Sequence, residues 1–261
     1  MRRPARLLTK AVFVLALAGI ILVFIGQVRR IGDRTTCRNN LRQLGLALHN
    51  YHDYDGVFPA ATLRNPDLPP ERRLSWLFEI GPFVESVMDA KWNEHQHEPW
   101  DSDGNLKFRR YWSRLHVCPR AAETPQPHDI TQSSYVGATG VGKDAAELPK
   151  KDSRTGVFGY ERRTAFADIK DGTEFTIMVI ETDWEPGPWL AGGPPTARGL
   201  DPDTQPYVGW DRPFGGLHRG GVMVVMADGS VHFVRKSVSP DVLEALFTIA
   251  DGDAHDSPWD D

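Results

Sequence analysis

Residues Ala11 to Gly26 read AVFVLALAGIILVFIG, with neither a charge nor a proline, and a short charged link carries them into CRNNLRQLGLALHNYHDYDG, Cys37 to Gly56. No other feature restricts the fold as much, because the second stretch is amphipathic with helical spacing. Leu41, Leu44, Leu48 and Tyr51 are separated by three or four residues and share one face, while Arg38, Asn39, Arg42 and Asn50 fall elsewhere. The two stretches are read as one helix whose lower part is apolar all round and whose upper part, 36–55, is a spine needing a cover. Asp55-Gly56 ends it, since glycine accepts the left-handed geometry of a helix terminus, and Pro59 prevents a restart.

A bilayer core of roughly 30 Å requires about 20 residues. Leu7, Leu8 and Val28 extend the apolar character on either side of the run, and Lys10 can snorkel. The run is followed by Gln27-Val28-Arg29-Arg30 rather than by the small residues a signal peptidase needs, which favours an uncleaved span over 11–28. A cleaved signal and a buried core helix are the alternatives. Arg2, Arg3, Arg6 and Lys10 favour a cytoplasmic segment 1–10 and an extracytoplasmic head, although Arg29, Arg30, Arg34 and Arg38 weaken the asymmetry. The expected location is the inner membrane, single-pass, with the bilayer itself as one partner.

Charge is unevenly spread. Residues 1 to 38 hold eight Arg/Lys against Asp33, so the remainder carries 22 basic and 34 acidic residues, a balance of −12. An acidic head argues against nucleic acid as a partner, because phosphate binding needs a basic stripe.

Along the head, Ser75 can cap a helix in LSWLFEIGPFVESVMDAKW, which Gly81-Pro82 kinks or splits, and a short helix LKFRRYWSRL follows, so inserted helices are expected over 75–118. SYVGATGV, GVFGY, FTIMVIET and GGVMVVMADGSVHFVRK read as strands of a sheet over 134–235, the last folding at Asp228-Gly229 into a hairpin. Ser239-Pro240 opens a last helix, 240–250, and an acidic tail occupies 251–261. Helix first and antiparallel sheet last is α+β, with residues 29–250 forming one head.

Six segments in this order resemble a large bacterial envelope family of unknown function: CRNNLRQLGLALHNYHDYDGVFP, LSWLFEIGPFVE, PWDSDGN, Val117-Cys118-Pro119, DIKDGTEFTIMVIE and LHRGGVMVVMADGSVHFV. Members usually begin with a prepilin-type cleavage and methylation segment, and they are similar to the G-type pseudopilins of type II secretion. The resemblance implies a pilin-like fold, a membrane helix continuing into a head with an antiparallel sheet packed on it, and other envelope or secretion proteins as partners. The start departs from that pattern, because Thr9-Lys10-Ala11-Val12-Phe13-Val14-Leu15 lacks the Gly and the Glu of the processing site. A chain without that Glu lacks the assembly contact of pilins, so no processing by prepilin peptidase is expected.

Candidate chemistry is sparse. In an oxidising compartment Cys37 and Cys118 can form a disulfide tying the top of the anchor to the head; two free buried thiols are the alternative. Neither cysteine has a ligand at short metal-binding spacing, so no metal is expected there. His49, His52, Asp53 and Asp55 read as a hydrogen-bonded helix end, and His95 and His97 with Glu94 and Glu98 as a charged loop. His218 matches the family's position before the hairpin, and His232 is expected to be exposed on it. Calcium is the one cofactor with any support, from oxygen-rich loops at Asp168 to Glu174 and Asp251 to Asp256, but neither fits the twelve-residue helix-loop-helix pattern. Asp228, Ser230 and His232 are not expected to converge as a triad, and no nucleophile elbow or phosphate loop occurs, so no enzyme is expected. Trp184, Trp189 and Trp210, in a long Gly/Pro-rich loop, could instead line a site for a solute or glycan.

Overall fold

In the computed structural model, which describes residues 3–84, 92–109, 115–124, 131–251 and 259, the N-terminal stretches form a single helix, α1, Arg3–Asp55. Side chains are described from Phe13 onward. The apolar part of α1 stands exposed: Phe13, Leu15, Ile20, Leu22 and Ile31 are all more than 60% exposed. Among the described residues this is the one helix long and apolar enough to cross a membrane. Burial begins abruptly at Cys37, and Leu41, Leu44 and Leu48 then lose all exposure, while Leu46 between them stays outside. The helix ends where the sequence predicts. Gly56 adopts φ +78° and its N–H donates to the His52 carbonyl at 2.7 Å, closing the last turn.

The cover is a five-stranded sheet of β1 (Tyr135–Val141), β2 (Ile177–Glu181), β3 (Ala197–Leu200), β4 (Gly221–Met226) and β5 (Val231–Arg235), in the order β3-β1-β2-β4-β5. Three pairings are antiparallel, but β3 lies parallel to β1, so the sheet is mixed rather than purely antiparallel. The pleat sends alternate residues to opposite faces. Met223 and Val225 join the cluster containing Leu41, Leu44 and Leu48, while Val222, Val224 and Met226 meet Leu243, Leu246 and Phe247 on the other side. That far layer is provided by the last helix, α5 (Pro240–Leu246), whose N-terminus is capped by Ser239 accepting from the Val242 N–H. The hairpin β4-β5 turns at Gly229, with φ +85°.

Three expectations are corrected. GVFGY is not a strand: Gly156 and Phe158 bond back to β1 by single contacts, and their carbonyls are taken by the buried Arg162 guanidinium. The inserted helices are short, α2 (Trp76–Glu79), α3 (Gly81–Val84) and α4 (Asp103–Leu106), with α2 and α3 parted at Ile80 just before Gly81-Pro82. Proline cannot donate to a continuing helix, so the split follows from Pro82. Residues 85–91 and 110–114, expected to be helical, lie outside the described residues, as does the acidic tail apart from Asp251 and Trp259. The last helix stops at Leu246 rather than at residue 250.

Candidate functional site

Where α1 enters the head, four groups that are far apart in sequence converge. Cys37 lies one turn before Leu41 on the buried face of α1 and so points at the sheet. Glu181 is the last residue of β2 and pairs across the ladder with Tyr135 at the start of β1, which places both on the same face. Cys118 precedes a 3-10 turn opened by Pro119, and its N–H is held by Ser134 Oγ at 3.1 Å. His218 sits at the bridge leading into β4. Cys37, Cys118, Tyr135 and Glu181 have no exposed surface, and His218 retains 9%.

The geometry is tight. Cys37 Sγ donates to Glu181 Oε1 at 2.7 Å and lies 3.1 Å from the Tyr135 hydroxyl. His218 Nε2 is 3.2 Å from the same Oε1 and 3.4 Å from Cys118 Sγ. The ligating atoms of Cys37, Cys118, Glu181 and His218 all lie within 4.8 Å of one another. Glu181 Oε2 accepts the Met223 N–H at 3.4 Å, fixing the carboxylate from behind.

Both cysteines are free thiols, so the expected disulfide is not formed. The two sulfurs lie within 4.8 Å of each other but are not joined: Cys37 is hydrogen-bonded to Glu181, and Cys118 lies against His218. Burial pushes the Cys37 thiol up, and its bond with Cys118 and the Glu181 charge add to that. Burial likewise raises the Tyr135 hydroxyl. For His218 burial opposes the charge, yet the bonds to Cys118 and Glu181 outweigh it and lift the imidazole to about 10. An imidazole and a carboxyl group buried together between two sulfurs are a costly group to take out of water. Two soft sulfurs, one imidazole nitrogen and one carboxylate oxygen aimed at one point can also share a cation.

The other sequence candidates do not gather. Trp189 is fully buried, with Nε1 donating to the Arg109 carbonyl, so it is separated from the exposed Trp184 and Trp210. Those two share an open groove of 480 Å³ with Asp183, Glu185, Asp211 and Arg212. His49 and His52 pack against Phe58 and Phe166, and burial lowers the His52 pKa. Asp55 is paired with Arg163, and His95 with Glu98 at 2.8 Å. In the loop 168–174, Asp168 is taken by Lys150 and the Ala165 N–H, and Asp171 by the Asp251 N–H; of Asp251 to Asp256, all but Asp251 lie outside the described residues. Ser230 Oγ does meet His232 Nε2 at 2.9 Å, but Asp228 accepts from the Ser230 backbone instead of the ring, and the imidazole is half-buried against Trp259.

Comparison with curated proteins gave no match, and comparison with solved structures gave none. A protein-family match covers residues 28–198 and 190–241, a region that contains all six segments quoted above and all four members of the cluster. With most of its length so covered, the chain belongs to the family described as protein of unknown function (DUF1559).

Proposed function

We propose that this is a membrane-tethered, pseudopilin-like structural protein of the bacterial envelope, whose head meets other envelope or secretion components outside the cytoplasm. One observation carries the reading: α1 runs without a break from a wholly exposed apolar rod into a spine buried by the sheet. A rod of that kind has to be covered by something outside the chain, and its length and composition suit a bilayer. The continuation of the same helix into the core makes the head rigid with its anchor, as an interaction platform requires. The reading assigns no catalytic step, and it keeps the N-terminus cytoplasmic and unprocessed.

Membranes from cells expressing the full chain test this. The protein is expected to resist alkaline carbonate, to dissolve in detergent, to retain residues upstream of Ala11, and to lose its head to protease added to spheroplasts. Release by carbonate, a mature terminus at or near Ala11, or a head protected from external protease would each contradict it. Crosslinking in the same membranes identifies the partner.

A second reading has one specific support: Trp184 and Trp210 stand exposed in one groove beside Asp183, Glu185 and Asp211, the mixture of flat rings and acceptors that suits a sugar. Quenching of tryptophan fluorescence by soluble envelope oligosaccharides, lost on Trp210→Ala, would favour it, and no quenching would remove it.

A further inference from the structure

We propose that Cys37, Cys118, Glu181 and His218 together bind one divalent metal ion of the zinc class, in a closed structural site that fastens the anchor helix to the sheet. The assignment rests on the head's own geometry and does not depend on what the head contacts.

The spacing fits. A tetrahedral zinc ion with sulfur near 2.3 Å and nitrogen or oxygen near 2.0 Å holds its ligand atoms roughly 3.3–3.8 Å apart. The Cys118 to His218 and His218 to Glu181 separations, 3.4 and 3.2 Å, already lie at or next to that range. Cys37 and Glu181, at 2.7 Å, must open by about 1 Å at most to reach it.

The surroundings fit as well. A metal site needs groups behind the ligands to fix their orientation. Here the Tyr135 hydroxyl lies on Cys37 Sγ and the Met223 N–H on Glu181 Oε2, the oxygen turned away from the centre. Two thiolates, a carboxylate and a neutral imidazole around a dication leave a net charge of minus one. His218 also lines a cleft with Arg30, Arg34, Arg120 and Arg219, which gives the cluster a way to solvent and places positive charge beside it. Four protein ligands leave no open position, so the site holds structure and does not activate water. Its members come from the anchor helix, the segment before β1, the end of β2 and the entry to β4, so one ion would clamp four separate segments at the point where the rod meets the head.

The test uses the full chain in detergent, purified with reductant. Elemental analysis is expected to give about one zinc per chain. After exchange, cobalt(II) is expected to give the intense visible bands of a tetrahedral ion and a thiolate-to-cobalt charge-transfer band, and Cys118→Ser and His218→Ala each to weaken or abolish them. Added zinc should raise the melting temperature of the wild-type protein but not of these variants. Should the variants fail to fold, the wild-type cobalt spectrum decides alone. A weak octahedral spectrum without a thiolate band overturns the proposal, as does failure of the reduced protein to bind zinc or cobalt added in excess. A Cys37-Cys118 disulfide found by mass spectrometry in protein taken directly from membranes also overturns it.

Discussion

Replacing Leu44 by alanine tests the spine directly. Its side chain is fully buried between α1 and the sheet, in one cluster with Leu41, Leu48, Met223 and Val225. A buried Leu→Ala change loses the transfer energy of the removed methyl groups and leaves a cavity, and such changes cost about 3–5 kcal/mol. At about 2–4 °C per kcal/mol for a head of this size, the expected fall in melting temperature is roughly 6–20 °C. Leu46 is the internal control. It lies two residues further along the same helix and is 62% exposed, so the same substitution there should change stability by no more than about 0.5 kcal/mol. The assay is thermal unfolding of the full chain in detergent, followed by the fluorescence of the buried Trp76, Trp92 and Trp189. Equal losses at the two positions, or none at Leu44, would mean that the stripe does not bear the sheet.

Two further substitutions probe polar groups that the fold depends on. Burial raises Glu79 to about 7, although the Tyr51 hydroxyl, which is also held by Arg163, donates to it and works in the other direction. The folded state therefore holds a proton that the unfolded chain releases near pH 4.5, so this group's contribution is complete below that value and is lost as pH rises towards 7. Denaturant unfolding from pH 5 to 7 should show a loss on the order of 1–3 kcal/mol that Glu79→Gln removes; an unchanged slope in the variant would contradict the assignment. Arg162 donates to the carbonyls of Thr139, Ala145, Leu148, Gly156 and Phe158, binding the loop after β1 back onto that strand. Arg162→Lys keeps the charge but loses the planar fork, and it should cost about 2–4 kcal/mol in the same measurement, whereas a neutral result would show that the carbonyls are satisfied without it.

What the sequence disclosed was local, and what it hid was not. The Leu41, Leu44, Leu48 spacing and the Asp228-Gly229 turn depend on neighbours a few residues away, so periodicity and turn chemistry find them. Strand β3 is four residues, ARGL, carries no alternation and pairs in parallel, so nothing in its own composition marks it. GVFGY has strand-like residues, but the carbonyls of Gly156 and Phe158 serve Arg162 instead of a ladder. The buried cluster was read as two cysteines only. Cys37 and Glu181 are 144 residues apart and Cys118 and His218 are 100 apart, so the short ligand spacing by which metal sites are recognised is missing. Sequence placed His218 before the hairpin, but only the register of β1, β2 and β4 brings it to the sulfurs.

The distance along α1 tests the account most directly. Spin labels carried on unnatural amino acids at the exposed positions Val28 and Asn50, in the full chain reconstituted into lipid nanodiscs, report whether rod and spine are one body. An uninterrupted helix rises about 1.5 Å per residue, so a single narrow distribution centred near 33 Å is predicted, allowing for label length. A broad distribution, or a principal distance shorter by about 8 Å or more, would mean that the helix breaks between bilayer and head.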